Sequence, residues 1–209
     1  FTINVIEMEI RVLNNIYTDE NTYFLIKDGK AIVIDPGESY EKIMDFAKNV
    51  KIEYVFLTHC HYDHITAAND LRKNGALLCT TKECAENIKN PINNLSGLWL
   101  DEKIIINGAD IILTEEEVFK FHGTDIKTIK TPGHTNCSSC FLAENKLFSG
   151  DTLFFQTTGR CDLPTGSIIN LQNSIKNKLY ILDDNTEVYP GHGRKTSIGY
   201  EKKFNLSVN

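Results

Sequence analysis

The sequence has no apolar run approaching the roughly 20 residues that a bilayer-spanning helix needs, and it has no excess of basic charge. Its 22 Lys and Arg stand against 28 Asp and Glu, a formal net charge of −6, whereas a general nucleic-acid binder would show a basic face. No linker or low-complexity tract divides the 209 residues, so we expect one domain over 1–209. Apolar residues at 41% and charged residues at 24% are ordinary globular usage, which excludes disordered and fibrous classes. Phe1–Arg11 alternates charge and apolarity, unlike a signal peptide. The expectation is a soluble, cytoplasmic protein that acts on neither membranes nor nucleic acid.

Several chemistries are missing too. There is no Gly-x-Ser-x-Gly nucleophile elbow. Gly193-Arg-Lys-Thr196 has Arg194 where the ending of a phosphate loop needs glycine. Among six cysteines, Cys137 and Cys140 form the only CxxC, so no second pair completes a four-cysteine zinc site. Those two read as buried strand thiols in a reducing compartment.

What is present is an alternation of element types. Strands are expected over Asn4–Ile10, Asn21–Ile26, Ala31–Ile34, Glu53–Thr58 and Leu77–Cys79, with helices over Tyr40–Asn49, Ile65–Lys73 and Thr81–Lys89. A long polar loop runs to Leu100. Further strands are expected at Ile104–Ile106, Ile111–Leu113, Val118–Phe121, Ile126–Thr131, Ser139–Ala143, Lys146–Phe148 and Thr186–Tyr189, and helices at Ser167–Leu179 and Thr196–Phe204. This order favours a layered α/β arrangement of two sheets covered by helices. Pro-Gly-His occurs twice, at Pro132–His134 and Pro190–His192, a hint of paired halves.

The six histidines carry the chemistry. Three sit in His59-Cys60-His61-Tyr62-Asp63-His64, directly after an expected strand. His134 and His192 each follow a Pro-Gly that ends a strand, and Asp151 follows the Lys146–Gly150 strand and turn. Imidazoles packed together without a cation would repel whenever protonated, and burial would disfavour charging them. Divalent metals reverse that balance, because neutral imidazole and carboxylate are their natural ligands. His59 and His61 can reach one ion together; Asp63 and His64, at the helix entrance, must point elsewhere. Two ions roughly 3.5–4 Å apart would need a bridging carboxylate, and Asp151 is the natural one. Nitrogen and oxygen donors permit zinc, iron or manganese. Cys60 should point away from the ions, Tyr62 should pack, and His122, in Phe121-His122-Gly123, reads as solvated or structural.

The pattern His59-x-His61-x-Asp63-His64, with His134, Asp151 and His192, resembles the metallo-β-lactamase fold superfamily, and Asp35 in Ile32-Val-Ile-Asp-Pro-Gly37 matches that superfamily's first motif. The resemblance implies an αββα sandwich of two mixed sheets with the metals at one edge. Ser149–Phe154, Gly159–Pro164 and Tyr189–Gly199 are similar to the short branch of the glyoxalase II family, the hydroxyacylglutathione hydrolases. That likeness places His59, His61 and His134 on one metal, Asp63, His64 and His192 on the other, and Asp151 between them, with zinc the expected ion. It implies hydrolysis of an acyl thioester of glutathione or another small thiol by a metal-bridging hydroxide, oriented by Asp63 as the catalytic carboxylate. Longer glyoxalase II proteins carry a basic helical C-terminal region for glutathione; here the sequence stops at Asn209. Arg160 either pairs with a carboxylate of the thiol carrier or pairs with Asp162 to order its loop. The competing readings are a mono-iron glutathione persulfide dioxygenase of the same fold and a non-catalytic metal-binding protein.

Overall fold

The computed structural model describes residues 7–208. Strands β1 (Glu9–Asn14), β2 (Asn21–Lys27), β3 (Lys30–Ile34), β4 (Lys51–Phe56), β5 (Leu77–Thr80) and β6 (Ile111–Ile112) form one sheet in chain order. β1 to β3 pair antiparallel, and β3 to β6 are parallel. The second sheet uses β7 (Val118–Phe121), β8 (Thr124–Lys130), β9 (Ser139–Ala143) and β10 (Lys146–Gly150). A small hairpin of β11 (Leu153–Phe154) and β12 (Thr157–Thr158) follows, and then β13 (Glu187–Pro190) and β14 (Thr196–Ser197) complete the second sheet in the order β14-β13-β10-β9-β8-β7. Both sheets are mixed, because β10 and β13 are also parallel.

Strand parity produces the layers. Successive side chains point to opposite faces, so Tyr23 and Leu25 of β2, Ile32 and Ile34 of β3, and Phe56 of β4 meet Phe141 and Phe148 between the sheets. Their neighbours Phe24, Val33 and Val55 face outward onto Ile43 and Ala47 of α1 (Tyr40–Ala47). Ala68 and Leu71 of α3 (Ala68–Lys73), which follows the short helical turn α2 (Tyr62–Ile65), cover the same face with Cys84 of α4 (Lys82–Asn87). A further turn, α5 (Ser96–Trp99), lies in the long loop. On the far side, Leu147 and Val188 pack under α6 (Ile168–Ser174), its π-helical continuation Ile175–Leu179, and α7 (Ile198–Phe204). The result is the αββα sandwich that the sequence implies.

Particular elements depart from expectation for identifiable reasons. Residues 4–6 of the strand expected over Asn4–Ile10 lie outside the described residues, and β1 runs on to Asn14. The helix expected from Ile65 begins earlier, with His61 as the N-cap of α2, so Asp63 and His64 are helical and His59 is not. No strand forms over Ile104–Ile106. There the backbone of Ile104 is bonded to side chains: its carbonyl accepts from Asn94 Nδ2 (2.8 Å), and its N–H donates to Ser96 Oγ (2.9 Å). The two Pro-Gly-His segments both close strands of the second sheet, β8 and β13, so they do not mark paired halves. No helix among the described residues is long and apolar enough to cross a membrane.

Asn94 is fully buried and bonded through both ends of its amide, to the carbonyls of Ile88 and Ile104 and to Ser96. Replacing it leaves several buried polar groups without partners, at about 1–3 kcal/mol. Asn94→Ala is expected to lower the urea unfolding free energy by about 2 kcal/mol without changing the m-value.

Candidate metal centre

The parallel pairing of β3 with β4 brings their C-terminal ends to one edge of the first sheet, and the parallel β10–β13 pair with the antiparallel β8–β9–β10 meander brings those of β8, β10 and β13 to one edge of the second. Thr58, just past β4, ties the edges together: its carbonyl accepts from Ser139 N (2.8 Å) and Ser139 Oγ (3.2 Å) of the opposite sheet. His59, His61 and His134 then bring one ring nitrogen each within 4.8 Å of one another, and Asp63, His64 and His192 do the same with their ligand atoms. All seven residues singled out in the sequence converge here.

Four of the five imidazoles have a partner on one nitrogen that turns the other inward. His134 Nδ1 donates to the Arg160 carbonyl (2.6 Å), and His192 Nδ1 donates to the Thr18 carbonyl (2.9 Å). His64 Nδ1 lies 3.1 Å from Asp35 Oδ2, and His59 Nδ1 lies 3.0 Å from Thr58 Oγ1. Such partners fix the tautomer and orient ligands. Asp35 is held by Thr58 N (2.7 Å) and Thr58 Oγ1 (2.6 Å), so its oxygens are committed to positioning, and its φ of +50° is a strained backbone kept at this edge.

The inward nitrogens face each other. His61 Nδ1 and His134 Nε2 are 2.9 Å apart, and His64 Nε2 and His192 Nε2 are 3.2 Å apart. His59 Nε2, His61 Nε2 and Asp151 Oδ1 are buried without any hydrogen-bond partner. Orphaned groups of this kind are costly in a protein interior. Divalent cations would use these lone pairs, so the donor set fits two metal ions of the borderline class that imidazole and carboxylate suit. Asp151 touches both clusters: Oδ1 is 3.4 Å from His64 Nε2, and Oδ2 is 3.5 Å from both His134 Nε2 and His192 Nε2.

Protonation differs between the clusters. Burial first, then the neighbouring histidines, holds His59 well below the ordinary histidine value, and burial and His134 do the same to His61. At His64 burial pulls downward, but Asp151, Asp63 and Asp35 outweigh it and raise the group well above that value. His192 is raised likewise by Asp63 and Asp151 against burial. Burial works against the Asp63 carboxylate, yet His64 and His192 hold it well below the usual range.

Other residues fall as the sequence suggests. Cys60 turns into the core, with Sγ 3.4 Å from the Asn93 carbonyl. Cys137 and Cys140 are buried in different clusters, so they do not face each other as a pair. His122 pairs with Glu53 (3.0 Å), and Tyr62 packs edge-on against Trp99. Arg160 lies at the pocket rim with its Nε and Nη2 donating to Asp162 (2.7 Å each).

Sequence reasoning missed the residues that hold the His192 loop. Asn21 Nδ2 donates to the carbonyls of Pro190 (3.1 Å) and Gly193 (2.8 Å), and Tyr23 Oη donates to Pro190 O (2.7 Å). Glu20 is fully buried beside this loop, and burial raises its carboxyl well above the usual value. Nothing local in Asp-Glu-Asn-Thr distinguishes these residues from an ordinary strand start.

Two His and Asp clusters joined by one carboxylate, at the common edge of an αββα sandwich, define a metal-dependent enzyme. The sequence profile of the metallo-beta-lactamase superfamily matches residues 17–192, and the chain belongs to that superfamily. It is 34% identical to a probable metallo-hydrolase of Streptococcus pyogenes over 95% of this chain and 89% of the relative. It is 35% identical to a probable metallo-hydrolase of Methanocaldococcus jannaschii over 92% and 98%. Among solved structures, the B3 metallo-beta-lactamase BLEG-1 superposes with a TM-score of 0.90 at 30% identity, covering 96% of this chain and all (100%) of that one. The di-iron-bound form of TTHA1623 gives a TM-score of 0.80 at 26% identity over 94% and 98%.

A raised imidazole keeps its proton to higher pH, so a cation entering the Asp63–His64–His192 cluster must displace protons, whereas His59 and His61 are already bare. Metal content is therefore expected to fall from two ions per chain near about pH 8 to one near about pH 6, read by elemental analysis after equilibrium dialysis. Asp151→Asn weakens the shared ligand and is expected to lower metal affinity at least about tenfold at pH 8.

Proposed function

We propose that the protein is a metal-dependent hydrolase with two ions, glyoxalase II-like, that cleaves an acyl thioester of a small thiol. The observation that carries this reading is Asp151, whose two oxygens reach across both ligand clusters. When bound, two divalent cations would supply a hydroxide at neutral pH and a Lewis acid for a carbonyl. His59, His61 and His134 would hold one ion, and Asp63, His64 and His192 the other, with Asp151 between; zinc, iron and manganese all suit these donors.

The remaining chemistry falls to the chain. Water adds across the acyl–sulfur bond, giving a carboxylic acid and a thiol. Asp63, ionised and partly open to the pocket, accepts the proton that water loses. A thiolate leaves without help, because thiols ionise near pH 8.5. This suits a pocket whose lining has no lysine, serine or tyrosine to act as a general acid and whose Arg160 is engaged by Asp162. An amide nitrogen would need such an acid.

A fully furnished second cluster favours the hydrolase over a mono-iron persulfide dioxygenase, which has no use for Asp63 and His192 as ligands. The likeness to BLEG-1, described as a B3 metallo-beta-lactamase, makes a β-lactam the second substrate class. Protein loaded with zinc, and separately with iron, is expected to hydrolyse S-D-lactoylglutathione or an acyl thioester of another small thiol. The same preparations are expected to consume no oxygen with glutathione persulfide and to cleave a β-lactam at least about 100-fold more slowly than the thioester, a gap of about 2.7 kcal/mol in barrier. Oxygen uptake, or equal thioester turnover by chelator-treated protein, would sink the proposal.

A further inference from the structure

The pocket over the metal centre has a volume of about 240 Å³ and is walled by Leu95 and Trp99 on one side and by Phe154 and Leu163 on the other. Beyond the ligands themselves, the only charged group in its lining among the described residues is Arg160, whose Nε and Nη2 are bonded to Asp162. Trp99 is the sole tryptophan of the chain and is 52% exposed. Its ring packs edge-on against Tyr62, next to His61 and Asp63. Large aromatic surface left open at a pocket mouth is available to a ligand.

This wall is built to stay in place. Leu95 adopts a φ of +66°, a left-handed conformation that costs a branched residue about 1–2 kcal/mol. The buried Asn94 beside it fixes the segment by accepting from Ser96 N (3.0 Å) and donating to Ile104 O (2.8 Å). The Asn94 carbonyl also accepts from Tyr62 N (2.9 Å), which ties the wall to the metal loop. Opposite, the Phe154 ring lies edge-on to His192 at 6.0 Å. Rigid apolar walls bind apolar groups with little ordering cost.

We infer that Trp99, Leu95, Phe154 and Leu163 select an uncharged, apolar acyl group and discriminate against acyl groups ending in a carboxylate. The inference rests on the thioesterase reading. The acyl chain and the sulfur are both bonded to the carbon under attack; the acyl chain is the arm that these walls suit, because a small biological thiol carries amide or charged groups that apolar walls would desolvate. Burying several methylene groups there contributes about 0.8 kcal/mol each, whereas a terminal carboxylate among these walls would lose its hydration beside a rim guanidinium already paired with Asp162.

The test uses S-acetyl, S-hexanoyl and S-succinyl N-acetylcysteamine with metal-loaded protein. The kcat/KM for the hexanoyl ester is expected to exceed that for the acetyl ester by at least about tenfold and that for the succinyl ester by about 100-fold. Trp99→Ala and Leu163→Ser are each expected to shrink the hexanoyl-to-acetyl ratio to about twofold. Binding is read without turnover from Trp99 emission, titrating metal-free protein with the uncleavable ketone S-(2-oxoheptyl)-N-acetylcysteamine. A shift of the emission to shorter wavelength is expected, and no shift with the analogue bearing a terminal carboxylate. Cleavage of all three esters without chain preference overturns the inference and leaves the thioesterase reading standing. An emission shift without cleavage of any ester overturns that reading and leaves the apolar pocket. An emission response as strong with the carboxylate analogue overturns the inference outright.

Discussion

The structure depends on imidazole nitrogens being driven together. His61 and His134 approach to 2.9 Å and His64 and His192 to 3.2 Å, in a setting where protonation is opposed by burial on one side and demanded by carboxylates on the other. No arrangement of protons satisfies both halves equally, and cations do. The sheets, loops and outward hydrogen bonds maintain this crowding. Thr58, Asp35, Thr18 and the Arg160 carbonyl each take one imidazole nitrogen and so commit the other to the centre. The backbone contributes as well. A Cβ at Gly191 would run into Asp151 and His64, and one at Gly159 would run into the Asp151 carbonyl, so glycine at these positions lets the loops close on the ligands.

The residues of the candidate metal centre were legible in the sequence because their signal is local. Three histidines and an aspartate lie within six residues directly after a β-rich strand, and His134, Asp151 and His192 each follow strand ends. Strand ends at one edge of a parallel pairing are neighbours in space, so position along the chain translates into position at the site. The layers were legible for a similar reason. Period-2 alternation in β2, β3 and β4 assigns Phe24, Val33 and Val55 to one face and Tyr23, Ile32 and Phe56 to the other.

What escaped the sequence is long-range by nature. Asn21 holds the His192 loop from 169 and 172 residues away, and the Arg160 carbonyl that orients His134 is a backbone group that no side-chain pattern advertises. Ile104–Ile106 has the composition of a strand, yet Asn94 and Ser96 capture its backbone groups before another strand can. Side-chain to backbone hydrogen bonds compete with sheet pairing on equal terms, and their outcome depends on which loop arrives beside which. Asp35 was legible as a motif residue, but its role in carrying His64 rests on the Thr58 contacts, which only the meeting of β3 and β4 creates.

The division of labour between the two sides of the pocket follows from the same loops. One wall is the segment whose Asn94 holds the Ile104 carbonyl, and it is tied through Tyr62 to the ligand loop. The other wall, from Phe154 to Leu163, belongs to the stretch that carries Asp151 and the Arg160 carbonyl. Each wall is therefore continuous with ligands or with the groups that orient them. A substrate pressing on Trp99 presses on the loop of His61 and Asp63, and one pressing on Phe154 meets His192. The alignment of the reacting group is set by the elements that shape the pocket.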